Sequence, residues 1–263
     1  MKVGFYQFRP VFGQIKRNVL KIIRALHDVE ADLVVLPELA LTGYYFSSRS
    51  ELDSMAEDPT KSTSVESLIA LCQQRQLHIV TGFAEKKGEH IYNSALLLGP
   101  DGILHIYRKL HLFNLEKEWF DQGNTPLSVQ LVAGVRIGMM ICFDWIFPEV
   151  TRTLSLLGAQ IICHPSNLVL NYCQQAMMTR CTENMVFAVT ANRYGLDRRP
   201  HGDLKFTGQS QIVAPRGVLI HRAKPQRDEM VVVEIDPTAA DNKRITPAND
   251  VLGDRRPDFY AVR

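Results

Sequence analysis

No apolar run in the chain approaches the roughly 18 residues that a membrane helix needs. The N-terminus, MKVGFYQFRPVFGQIKRN, also lacks the long apolar centre of a signal peptide. A cytoplasmic protein without a membrane partner is therefore expected. Charge of one sign is equally scarce. Thirty Lys and Arg stand against 28 Asp and Glu, and a formal charge of +2 sets up no strong field for nucleic acid. Cysteine is sparse and odd in number: Cys72, Cys142, Cys163, Cys173 and Cys181 form no CxxC pair. That pattern suggests neither a disulfide framework nor a zinc clip, so reduced thiols are the simplest expectation. There is no internal repeat, no low-complexity segment and no linker able to separate two domains. The longest polar stretch, 47–64, reads as a surface loop. One domain over residues 1–263 is expected, long enough to bury about three quarters of its unfolded surface.

What is present is a series of short apolar segments. VGFYQF (3–8) reads as a strand, and Ile15, Val19, Ile22, Ile23 and Leu26 follow at helical spacing. LVVLPE (33–38) is a continuous apolar strand of the kind buried between layers. Val65, Leu68, Ile69 and Cys72 repeat the helical stripe, and HIVTGFAE (78–85) returns to strand.

Two hairpins come next. SALLLGPDGILHIYRK (94–109) turns at Gly-Pro-Asp-Gly, and SVQLVAGVRIGMMIC (128–142) turns at Ala133-Gly134. A helix is predicted from Pro148, a strand over 159–165, a helix within 171–184 and a strand over 185–192. Strands over 208–214 and 218–223 flank Pro215-Arg216-Gly217, and 229–235 closes the set. So many strands alternating with helices fit two mixed sheets packed face to face with helices outside, an α/β protein.

Three strand ends carry side chains able to do chemistry. Cys142, in GMMICFDWIFPEV, ends a strand just before a helix that begins at Pro148. A thiol in such a turn lies near backbone N–H groups and a helix N-terminus, which favour a thiolate and a developing oxyanion. Free cysteine is also among the most buried residue types, so a space-filling role stands beside the nucleophilic one. Glu38 follows LVVLP, where a charge needs a reason to be, and a turn-capping role is its plain alternative. Lys109, in YRKLHLF, is an ordinary solvated loop lysine unless its neighbours say otherwise. None of the eight histidines sits in a recognisable Cys-His hydrolase context. His105 and His111 stand without further clustered ligands, so no metal is expected.

Joint occurrence decides between these readings. VVLPELALTGY around Glu38, GPDGILHIYRKLHLF leading to Lys109 and GMMICFDWIFPE around Cys142 occur in one order with HPSNL (164–168), ENMVFAVTANR (183–193), FTGQSQIVAPRG (206–217) and DRRPDFY. The sequence resembles the nitrilase, or carbon-nitrogen hydrolase, superfamily over essentially its whole length. It is most similar to small prokaryotic members that carry CFDWxFPE.

The resemblance implies an α-β-β-α four-layer sandwich and a homodimer or larger homo-oligomer, with a C-terminal tail of about 238–263 in subunit contacts. It implies a Cys-Glu-Lys triad of Cys142, Glu38 and Lys109, with Glu116 as a second glutamate and Glu118 as its competitor. The backbone N–H of Phe143 would join Lys109 in meeting the oxyanion. Asp144, Trp145, Phe147, Asn167 and Glu183 are candidates for the substrate pocket, Glu183 equally as scaffold. No organic cofactor or metal is implied. The expected reaction is hydrolysis of a small aliphatic amide to an acid and ammonia. A nitrilase, an N-carbamoyl hydrolase and a catalytically silent binding module on the same fold are the alternatives.

Overall fold

The computed structural model describes residues 1–260. In chain order its first half holds β1 (Lys2–Gln7), α1 (Ile15–Leu26), β2 (Leu33–Val35), α2 (Arg49–Asp53), α3 (Thr63–Arg75), β3 (His78–Lys87), β4 (His90–Gly99), β5 (Gly102–Arg108) and α4 (Glu116–Trp119). The second half continues with β6 (Val129–Val132), β7 (Val135–Met139), α5 (Pro148–Leu156), β8 (Ile161–Ser166), α6 (Cys173–Asn184) and β9 (Phe187–Asn192). It ends with β10 (Tyr194–Arg199), β11 (Gly202–Thr207), β12 (Gln211–Ala214), β13 (Val218–Arg222), β14 (Glu229–Glu234), β15 (Arg244–Thr246) and β16 (Asn249–Asp250).

The strands form two six-stranded mixed sheets, in the orders β14-β1-β2-β3-β4-β5 and β13-β12-β9-β8-β7-β6. Each has a parallel centre, β1-β2-β3 in one and β7-β8-β9 in the other, flanked by antiparallel strands. The period-2 alternation of a strand assigns the faces. Leu33 and Val35 of β2 join Val3, Phe5, Ile137, Ile161 and Val189 in the core between the sheets. Val34 and Leu36 turn the other way, onto Val19, Ile22 and Leu26 of α1 and Val65 and Leu68 of α3. On the far side Val150 and Leu154 of α5 and Met177 and Cys181 of α6 cover the second sheet. Each such fully buried side chain contributes about 1.5–3 kcal/mol. The expected layering of two mixed sheets with helices outside is what forms.

Four local differences have physical reasons. The stretch 47–64 is not loop throughout: Ser48 caps α2 by accepting the Glu51 N–H, and Leu52 is buried. The β10-β11 hairpin is not among the strands expected from the sequence, because its segments, YGLDRR and GDLKFT, mix charges into a strand pattern. Within the tail, β15 and β16 pair as a small hairpin, and residues 261–263 of that tail lie outside the described residues. Finally, β7 ends at Met139, and Cys142 opens a short 3₁₀ turn, Cys142–Ile146, rather than ending the strand. With φ at +40° Cys142 has left strand geometry altogether. No described helix is long and apolar enough to cross a membrane.

Candidate active site

The parallel strands bring their carboxyl ends to the same side, where ligands of α/β sheets bind. Glu38 lies just beyond β2, Lys109 immediately after β5, Cys142 after β7 and Asn167 after β8. Two glycines let these segments approach. A Cβ on Gly82 of β3 would lie 2.2 Å from Leu39 N and 2.4 Å from Glu38 Cα. A Cβ on Gly123 would lie 2.3 Å from the Arg108 carbonyl oxygen and 2.6 Å from that of Lys109. Only glycine admits such contacts.

Lys109 is buried and its Nζ is shared between two carboxylates. It donates to Glu38 Oε1 at 2.6 Å and to Glu116 Oε1 and Oε2 at 2.9 and 2.8 Å. Asn93 Nδ2 adds a second donor to Glu38 Oε1 at 2.7 Å. Tyr44 Oη and the Phe113 N–H each donate to Glu116, at 2.7 and 3.1 Å. Glu38 Oε2 is buried with no donor among the described residues. One carboxylate oxygen is thus left free to take a proton.

The electrostatics follow from burial. Burial works against the Lys109 ammonium, but Glu116 and then Glu38 outweigh it and raise its pKa above the ordinary value. Burial pushes the Glu38 carboxyl up; Lys109 opposes the rise and Glu116 adds to it. Burial and then the Glu38 charge push the Cys142 thiol well above its ordinary value, with Lys109 pulling the other way. At rest Cys142 is therefore a thiol, and it needs a base before it can attack.

The Cys142 turn is held by its neighbours. Asp144 is fully buried and accepts the Ile141 N–H at 2.9 Å, Tyr107 Oη at 2.7 Å and the His111 N–H at 3.2 Å. Its Oδ1 also lies 2.8 Å from His111 Nδ1. Asp144 therefore ties the nucleophile turn to the Lys109 segment and does not line the pocket. Trp145 does line it: a small cavity of about 20 Å³ is walled by Cys142, Phe143, Trp145, Asn167, Phe113 and 168–170. Asn167 Nδ2 donates to the Glu38 carbonyl at 2.8 Å, joining two of the strand ends.

Two more residues that the sequence places at the pocket stand, like Asp144, elsewhere. Phe147 stacks on the His111 ring, with centroids 3.6 Å apart, and walls a neighbouring surface cleft. Glu183 is partly exposed and pairs with Arg180 at 2.9 Å; Arg180 in turn donates to the Trp145 carbonyl. Glu183 braces the turn from behind, which is the scaffold role. Glu118 is exposed, whereas Glu116 is buried on Lys109. Sequence reasoning missed Asn93, Tyr44 and His164. His164 Nε2 lies 2.9 Å from the Cys142 carbonyl oxygen. Only HPSNL carried any signal for it.

Residues 2–244 match the family model described as carbon-nitrogen hydrolase. The chain is 40% identical, over 99% of each protein, to a nitrilase of Pyrococcus abyssi (strain GE5 / Orsay). It is 36% identical to an (R)-stereoselective amidase of a Pseudomonas species, over 90% of this chain and 85% of that protein. The crystal structure of a carbon-nitrogen hydrolase from Helicobacter pylori G27 superposes with a TM-score of 0.88 at 24% identity, covering 99% of this chain and 97% of that one. The family match over residues 2–244 and the relative at 40% identity place this chain, with its thiol in the turn after β7 and its buried lysine between two glutamates, in the carbon-nitrogen hydrolase family.

Proposed function

We propose that the protein hydrolyses a small, neutral aliphatic carboxamide to its acid and ammonia through a Cys142 thioester. The observation that carries this reading is the free Glu38 Oε2 in the charged cluster whose field acts on the Cys142 thiol, beside a mostly apolar cavity. Glu38 takes the thiol proton as Sγ bonds to the amide carbon, and the negative oxygen is met by Lys109 and the Phe143 N–H. The C–N bond breaks as that proton passes to the leaving nitrogen, so ammonia departs and a thioester remains. Glu38 then takes a proton from water, which attacks the thioester and releases the acid and the thiol. Glu116, held on Lys109, keeps the lysine oriented and charged. Trp145, Phe143 and Phe113 favour an uncharged acyl group.

Asn167 Oδ1 is buried at the cavity wall without a donor among the described residues. A carboxamide brings two N–H groups to such an acceptor and a nitrile brings none, which favours the amide. The nitrilase reading is second, supported by the relative at 40% identity. A nitrile would pass through a thioimidate and consume one more water before ammonia leaves.

The test is ammonia release from amides, nitriles and carbamoyl compounds by the parent and by Cys142→Ala. The expected result is turnover of neutral amides that vanishes in the variant; carbon dioxide alongside ammonia would instead mark a carbamoyl substrate. No turnover of any compound, or full activity in Cys142→Ala, contradicts the reading. We also propose a single-domain protomer that assembles as a homodimer. Exposed Leu156 at the end of α5, Leu157 just after it, and Ile245, Phe259 and Tyr260 in the tail support that assembly. Light scattering of the chain with and without 238–263 tests it: a monomer with the tail present rules it out.

A further inference from the structure

The Cys142 carbonyl, rather than its thiol, points to a further role. Cys142 holds φ at +40°, a region that non-glycine residues avoid unless their surroundings impose it. Its carbonyl oxygen lies 2.9 Å from Nε2 of His164, a fully buried residue of β8. His164 Nδ1 lies 3.1 Å from Thr190 Oγ1 on β9. Two acceptors would repel at 2.9 Å, so the ring proton sits on Nε2, and the Thr190 hydroxyl donates to Nδ1. Ser166 Oγ, 3.0 Å from the same Nε2, donates its own proton to the His164 carbonyl at 3.2 Å, leaving its lone pairs toward the ring. Burial lowers the His164 pKa to about 4, with the bond to Cys142 and the Asp144 charge opposing and Lys109 assisting, so the ring is neutral near pH 7.

A planar trans peptide couples this contact to the cavity. The C=O of Cys142 and the N–H of Phe143 belong to one peptide unit and point in opposite directions. Holding the carbonyl against β8 therefore turns the Phe143 N–H away from the sheet. No acceptor among the described residues takes that N–H, and Phe143 lines the cavity beside Cys142. Asp144 fixes the chain before the cysteine, through the Ile141 N–H. His164 is the side chain that fixes the peptide after it.

We propose that His164 is a positioning residue: its Nε2–H holds the Cys142–Phe143 peptide so that the Phe143 N–H faces the cavity as an oxyanion donor. This rests on the thioester mechanism above for its catalytic consequence, but the orientation itself is independent of substrate.

The experiment compares His164→Leu, which keeps bulk and loses the donor, with His164→Gln, whose amide N–H reaches the same place. Three readouts are taken: kcat and KM on an amide that the parent hydrolyses, affinity for the matching aldehyde, and the rate of Cys142 alkylation by iodoacetamide. The aldehyde adds Sγ to its carbon while its oxygen gains the proton, so it occupies the oxyanion position; alkylation by displacement of iodide does not. Expected for His164→Leu is a kcat lowered about 10²–10³-fold, the size of one lost oxyanion donor. Aldehyde affinity should weaken with it, while KM and alkylation stay near the parent values. His164→Gln should recover most of the loss. A crystal structure of His164→Leu should show the Cys142–Phe143 peptide rotated. Unchanged kcat and aldehyde affinity with the peptide in place overturn the inference, as does equal loss of all readouts in both variants. If the parent hydrolyses no amide, the proposed function falls and the peptide orientation in the variant still decides this inference.

Discussion

Two buried ionic clusters among the described residues differ in what they leave unfinished. Around Lys109 one ammonium serves two carboxylates, and Glu38, whose charge acts on the Cys142 thiol, keeps an unused lone pair on Oε2. Around Arg193 the guanidinium meets Asp197 with two parallel bonds of 2.7 Å and lies 4.0 Å from the Phe206 ring centroid. There both carboxylate oxygens are taken, and the buried atom left without a partner among the described residues is a donor, Arg193 Nε. Burial of charge is shared by both clusters, so it does not mark function. What separates them is an excess of negative charge and a free proton acceptor on a carboxylate whose charge acts on a thiol.

Removing the cation from each cluster breaks the comparison most severely. Lys109→Met should lower kcat about 10³-fold, since an oxyanion donor is lost and two buried carboxylates are left facing each other. Stability should fall as well, and steady-state kinetics with urea denaturation will read both. Arg193→Met should destabilise by about 3 kcal/mol, because Asp197 keeps only the longer contact with Arg9, at 3.7 Å, for its buried charge. The kcat of the folded fraction should stay that of the parent. A large kcat loss in that variant would erase the distinction between the clusters.

Subtler changes sharpen it. Glu38 must be ionised to take the thiol proton, and its pKa is raised first by burial and further by the Glu116 charge. Activity is then lost, as pH falls, above the ordinary carboxylate range. Glu116→Gln removes one of the raising charges, so the acid limb of the kcat/KM profile should move to lower pH. Movement to higher pH would contradict the charge assignment. Smallest of all, Glu118→Gln at an exposed position should leave kcat, KM and that limb unchanged, with stability within about 0.5 kcal/mol.

Much of this was legible in the chain because it is written locally. Apolar runs gave the strands, and Glu38, Lys109 and Cys142 each stand just beyond one. The partners were not legible, since they arrive from afar: Asn93 reaches Glu38 across 55 residues and Tyr44 reaches Glu116 across 72. The left-handed turn at Cys142 was hidden too. A run such as GMMIC reads as continuing strand, and only the surrounding bonds to Asp144 and His164 impose the break. Asp144 and Glu183 illustrate the converse. Both sit in family strings, yet one clamps the turn and the other braces it from outside.

The central claim is that Cys142 carries the acyl group. It is tested most directly by acid-quenching the enzyme during turnover of a neutral amide and weighing the peptide that contains Cys142. That peptide should be heavier by the acyl group, with the adduct lost on hydroxylamine treatment and absent in Cys142→Ala. Turnover with no adduct on Cys142, or with the acyl group on another residue, would contradict the claim.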